Sequence, residues 1–188
     1  FLLVLSGMDS LARRLVSELS AAARYVTSIL PDDLDAPVPV TARYVPSQEL
    51  GGDSFDYRWV DDDHLIVYLV AASGHGITPA LYSVSVHNLL RSGTLDNDTL
   101  RDPGRVLTEL NRLFQMDQQA GHFFTIWYGV YQPSTRALRY SGAGHPPAIV
   151  LSADGADPTQ LPSGSIPVGV LGNSTFETHS YLLPPDTD

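Results

Sequence analysis

Carboxylates are the reactive groups this chain has in quantity: 21 acidic residues stand against 11 basic ones. Three of them, Glu49, Asp53 and Asp56, fall in ELGGDSFD, where Gly51-Gly52 permit backbone conformations closed to other residues. Such a cluster suits a hard cation, since Mg²⁺ or Mn²⁺ takes carboxylate and backbone oxygens while keeping several waters. It also suits a plain Gly-Gly turn with solvated acids. On a strand Asp53 and Asp56 point to opposite faces, so the two serve one site only if a bulge intervenes. A second signal is VAASGHG. The apolar run ends at Ala71 and Ala72, and Ser73, Gly74, His75 and Gly76 then lead into a helical pattern. Free N–H groups at a helix start favour an anion such as phosphate. The same residues also describe a tight strand-to-helix turn in which His75 is a polar loop residue. His145, in GAGHPP, precedes the rigid Pro146-Pro147 pair and reads as a structural motif, a histidine capping a neighbouring loop.

Other chemistries find no support. Ser73 and Ser141 lack the upstream glycine of a nucleophile elbow. There is no H-E-x-x-H, the six histidines show no zinc spacing, and the absence of cysteine removes thiolate ligands, thiol nucleophiles and disulfides. No phosphate-binding loop or dinucleotide fingerprint occurs. The formal charge of -10 leaves no basic stripe for nucleic acid or an anionic membrane. The aromatic run Phe123, Phe124, Trp127, Tyr128 and Tyr131 therefore reads as core. No segment is apolar enough over enough length to span a bilayer, FLLVL being far too short. A cysteine-free chain fits the cytoplasm.

The elements that must position these residues follow from periodicity. Leu11, Leu15, Leu19, Ala22, Val26 and Ile29 share one helical face, predicting an amphipathic helix over 8–30 that either packs on its own domain or pairs two subunits as a homodimer. PDDLDAP at 31–37 ends it. VPVTARYV, SFDYRWV and HLIVYLVAA read as strands. Helices are expected over 77–90, with Thr78 as N-cap and Pro79 at the first helical position, and over 102–116 with Pro103 near its start. Strands return from 122, with QPSTRA as a hairpin loop and ADGADP as a turn, and TFETHSYLL alternates as another strand. Strands, paired helices and strands again give an α+β layout in a chain of 188 residues, the size of one domain.

Taken in order, ILPDD, ARYVPSQELGGDSFDY, AASGHGITPAL, LTELNRLF, FFTIWYGVYQPSTRALRYSGAGHPPAIVL and GSIPVGVL resemble the SpoIIE/RsbU branch of the metal-dependent type 2C (PPM) serine/threonine phosphatases over about residues 22–188. The resemblance implies two antiparallel sheets packed face to face with helices outside. It implies hydrolysis of phosphoserine or phosphothreonine on a bacterial regulatory protein, typically an anti-sigma-factor antagonist of the STAS type, by water activated between two divalent cations, Mn²⁺ or Mg²⁺. By motif, Asp53 takes the place of the metal-bridging aspartate, the Ala72 carbonyl that of a further ligand, and His75 that of the general acid. The phosphate region falls on Gly52, Ser73, Gly74 and Gly76. Domains of this kind often sit behind a sensor module, so residues 1–30 are expected to be a linker helix from an upstream module and 31–188 the phosphatase domain, lacking its C-terminal strands.

One departure matters. The family loop reads D-V-S-G-H-G, and its metal-binding aspartate is Ala71 here. Two further family aspartates lie beyond the point where this sequence stops, and Asp186 matches only the turn before them. The expectation is an impaired phosphatase. The alternative is a natural pseudophosphatase that binds a phosphoprotein or sigma-factor regulator without turnover.

Overall fold

The computed structural model describes residues 2–46, 50–119, 121–152, 155, 157–164 and 166–184, so Glu49 and Asp186 lie outside the described residues, as does part of the ADGADP turn. In chain order the elements are α1 (Leu2–Ser28), β1 (Asp53–Asp61), β2 (His64–Ala72), α2 (Ile77–Arg91), α3 (Asn97–Leu100) and α4 (Pro103–Leu113). They are followed by β3 (Phe124–Gln132), β4 (Ala137–Ala143), β5 (Ala148–Val150), β6 (Thr159–Leu161) and β7 (His179–Leu182).

Alternation along the strands decides the layers. Ile66, Tyr68 and Val70 of β2 and Phe124, Ile126 and Tyr128 of β3 point to one face and are almost wholly buried. The five strands β1-β2-β3-β4-β7 form one antiparallel sheet in that order. On its apolar face lie α2, through Tyr82, Val86 and Leu90, and α4, through Val106, Leu107 and Leu110. Tyr68 and Tyr128 stack within this core, their ring centroids 6.1 Å apart and nearly parallel. The opposite face carries the second layer. There the two-stranded sheet β5-β6 lays Ala148, Val150 and Leu161 over Trp127, Leu138 and Tyr140. The result is the expected α+β arrangement of helices on packed antiparallel sheets, with a second sheet of two strands.

Three expectations are corrected. VPVTARYV forms no strand: its only ladder contact among the described residues is the bridge Leu34↔Val40, with the Ala42 N–H donating to Asp33 at 3.2 Å. Among the described residues the segment has no neighbouring strand to pair with further, and strand composition alone does not make a ladder. Second, α2 begins at Ile77, its N-cap is Gly76 rather than Thr78, and Pro79 is the third helical residue. Gly76 takes φ 92°, a left-handed turn that a threonine would resist, and a proline within the first turn removes only an N–H that has no helical partner anyway. Third, the short α3 went unforeseen. Its N-cap Asp96 accepts from the Thr99 N–H at 2.7 Å.

Among the described side chains, those at the C-terminal end of α1 and just beyond it meet the domain. Ala23, Val26 and Ile29 pack against Leu50, Ala80 and Val84, whereas Leu11 and Leu15 are more than half exposed.

Candidate active site

The site is built at the end of β2. Gly52 accepts the Ala72 N–H at 3.0 Å, and a Cβ on Gly52 would stand 2.9 Å from Pro79 Cβ and 3.3 Å from the Ala72 carbonyl oxygen. Only glycine lets the two backbones approach so closely. From there the register is continuous through the first half of β1. Asp53 is the direct partner of Ala71, and Ala71 is in turn the partner of Thr125 on β3. The only register shift lies at Trp59/Asp61, well away from the site. Asp53, Ala71 and Thr125 thus form one row across three strands on the same face, with neighbouring Cβ atoms about 5 Å apart.

Thr125 leads to His145. Its hydroxyl lies 3.0 Å from His145 Nδ1. Burial pushes the His145 imidazole below its ordinary pKa range, and the charge of Asp53 pulls it partly back. The histidine expected to cap a loop therefore stands within electrostatic reach of Asp53. Tyr44 joins the same end. Its hydroxyl is buried without a hydrogen-bond partner among the described residues, and its pKa is raised by burial first and by the charge of Asp53 second. A Cβ on Gly51 would meet this hydroxyl at 2.6 Å.

The SGHG loop is clamped from one side. The Ser73 N–H donates to the Phe123 carbonyl at 2.8 Å, Ser73 Oγ accepts the Phe123 N–H at 3.1 Å, and His122 Nδ1 donates to the Ser73 carbonyl at 3.1 Å. Gly74 and Gly76 hold φ of 95° and 92°, so the loop turns sharply into α2. His75, between them, is exposed. Of the two carboxylates of GGDSFD, Asp53 is exposed in the row and Asp56 is fully buried on the other face. There Asp56 accepts from Arg91 Nε at 2.7 Å and Nη2 at 2.6 Å. The structure brings together Asp53, Ala71, the Ala72 carbonyl and Gly52, adds Thr125 and His145, and leaves Asp56 out.

Among the described residues the donor set does not fit a resident pair of divalent cations. Asp53 is the single carboxylate of the row, position 71 offers a methyl group, and no cluster of three histidine or acidic side chains suited to a metal occurs among the described residues.

Residues 61–187 match the family model of stage II sporulation protein E. The chain belongs to the SpoIIE family. Members of this family include protein serine/threonine phosphatases: the chain is 31% identical over 153 residues to phosphoserine phosphatase RsbP of Bacillus subtilis, covering 79% of this chain and 37% of that protein. It is 27% identical over 148 residues to phosphoserine phosphatase RsbU of the same organism, covering 77% of this chain and 43% of the relative. The chain thus spans less than half the length of these curated relatives. The SpoIIE-family fold is shared with the SiaA-PP2C domain of Pseudomonas aeruginosa, at a TM-score of 0.74, 19% identity, and coverage of 93% of this chain and 70% of the other. Sequence reasoning missed Thr125 and Tyr44. Thr125 sits in an aromatic strand that looks like core throughout, and only the β2–β3 register reveals that it neighbours position 71.

Proposed function

We propose that this domain is of the type that hydrolyses phosphoserine or phosphothreonine on a bacterial regulatory protein, and that Ala71 impairs the hydrolysis. The observation that carries this reading is the pairing of Ala71, within the residues that match the SpoIIE family, with Asp53 on the strand just ahead of them. The backbone for a second carboxylate is present, directly across from the first, and the carboxylate is not. The substrate class is an anti-sigma-factor antagonist of the STAS type, in keeping with the likeness to RsbP and RsbU, and the setting is the cytoplasm. No helix among the described residues is long and apolar enough to cross a membrane. In this reading His75, exposed in the SGHG loop, is the general acid, and Gly52, Ser73, Gly74 and Gly76 frame the phosphate. Residues 1–30 form a linker helix to a sensor module and pair two copies, and 31–188 form the phosphatase domain.

The test is Ala71→Asp in the full chain. Calorimetry should show Mn²⁺ affinity rising by about an order of magnitude, because a second carboxylate joins the first. Phosphate release from a phosphoserine protein should become Mn²⁺-dependent, with Mg²⁺ as the comparison. A folded Ala71→Asp variant that neither binds Mn²⁺ nor releases phosphate defeats the reading. The second reading, a pseudophosphatase that binds a phosphorylated regulator without turnover, draws on the same geometry: the glycine turns and the Ser73 clamp are intact around the missing carboxylate. It leads if the unsubstituted chain captures the phosphoprotein and Ala71→Asp adds no hydrolysis.

A further inference from the structure

The row across the sheet has two ends, and only one of them carries a charge. Asp53 stands on β1, and Thr125 with its partner His145 stands two strands away, about 10 Å across. A phosphoryl group brought to this end meets repulsion from Asp53. A hydrogen-bond donor on the opposite wall is what would hold it in place, and the loop that carries His145 is built as a fixed support. Gly144 takes φ 63°, its N–H donates to the Gly164 carbonyl at 2.6 Å, and a Cβ there would come within 2.9 Å of Pro167 Cγ. Pro146 and Pro147 stiffen the other side. His145 is half-buried on this support, whereas His75 is exposed and carries no hydrogen bond among the described residues.

The Thr125 hydroxyl can donate to His145 Nδ1 or accept from it, and the direction of that bond settles which nitrogen of the neutral ring bears the proton. The hydroxyl has one hydrogen to donate, and its only hydrogen-bond partner among the described residues is His145 Nδ1. With Nδ1 accepting, the neutral ring keeps its proton on Nε2, and that N–H is left as a donor.

We infer that His145 is a ligand-binding residue of this site, its Nε2–H donating to the phosphoryl oxygens of a phosphoserine-bearing protein while Thr125 fixes the tautomer. The identity of the ligand rests on the phosphatase-family reading above; the tautomer rests on Thr125 alone. His145 is thus a second imidazole of the site, on the wall facing Asp53 and apart from the SGHG loop.

Ring-nitrogen NMR on the intact chain tests the tautomer directly. The expected result is an unprotonated Nδ1 and a protonated Nε2 at His145, with Thr125→Val giving a mixture. A protonated Nδ1 in the unsubstituted neutral ring overturns the inference. Titration with a phosphoserine peptide should move the Nε2 signal, both in the unsubstituted chain and in Ala71→Asp with Mn²⁺, and a ring that responds in neither overturns it. His145→Leu in the Ala71→Asp background should weaken peptide binding by about tenfold or more while leaving Mn²⁺ affinity within about twofold. His145→Gln, whose amide nitrogen replaces Nε2, should recover most of that loss. Phosphate release by Ala71→Asp with undiminished peptide affinity in His145→Leu overturns this inference and leaves the phosphatase reading standing. A ring that answers the peptide while Ala71→Asp releases nothing does the reverse.

Discussion

Within Asp53-Ser54-Phe55-Asp56 the backbone changes sides at every step, and two like residues end in unlike surroundings. Asp53 faces the row with Ala71, while Asp56 is buried against α2 and held bidentately by Arg91. Beside that pair the Tyr68 hydroxyl lies 3.2 Å from His87 Nδ1, and burial lowers the His87 pKa. Removing the Asp56 charge strands a guanidinium that is only partly exposed. Asp56→Asn is therefore expected to cost about 3 kcal/mol of unfolding free energy, toward the low end for a broken buried pair because Arg91 reaches solvent. Asp53→Asn, at an exposed position, should stay within about 0.5 kcal/mol of the parent. Urea denaturation of both variants checks the contrast; equal losses would contradict it. The opposite orientation of these two aspartates was legible in the sequence, because period-two alternation needs no knowledge of partners. Arg91 as the partner of Asp56 was not, since 35 residues separate them and only the packing of α2 on β1 joins them. The Thr125–His145 contact was hidden for the same reason.

At the scale of elements, the strands and helices that carry the site were readable from spacing, and the elements without a partner were the ones misread. Residues 38–45 have the composition of a strand, yet a strand exists only where a neighbour accepts its hydrogen bonds, and no local pattern reports that. The N-cap of α2 was misplaced by two residues because Gly76 supplies the turn through its backbone and leaves Thr78 no capping role. The helix α1 was foreseen, but which of its residues stay uncovered was not. Met8, Leu11, Leu15 and Val16 are all more than half exposed, an apolar stripe that a second copy would cover. Sedimentation of the full chain should show a dimer, and Leu11→Asp with Leu15→Asp a monomer of unchanged helicity. A monomer in both cases removes pairing through α1 from the proposed function.

Across the whole molecule the two ends of β1 and β2 are secured differently. At the end remote from the site, Asp63 accepts from the Ser134 N–H at 3.1 Å and from Gln132 Nε2 at 2.8 Å, tying the β1–β2 turn to the β3–β4 hairpin. Asp61 binds the Asp63 N–H and His64 Nδ1, both at 2.9 Å or less, and is paired with Arg101. The Asp63 N–H, ahead of His64 and Arg101, lowers the Asp61 pKa from 3.8 to about 2. A carboxylate whose folded pKa lies below its unfolded value adds stability above the unfolded pKa and loses it as pH falls through the folded one. Asp61→Asn should therefore cost about 1 kcal/mol above a pH of about 5, after allowance for solvent screening at this partly exposed turn, and almost nothing near pH 2. Urea titrations at several pH values measure the difference, and a cost independent of pH would show that the carboxylate is held by shape alone. The fold and family of this acidic chain were legible because motifs in series carry both; the reach of Asp53 to His145 was not, because it is made by three strands at once.

The same cross-strand pair bears on how the domain responds to its surroundings. Two carboxylates at positions 53 and 71 would face each other directly, and like charges so placed destabilise a sheet unless a cation lies between them. With alanine at 71 that repulsion is absent. Ala71→Asp should therefore make the stability of the domain depend on divalent ions at this pair, its unfolding midpoint rising with added Mn²⁺ more than that of the unsubstituted chain.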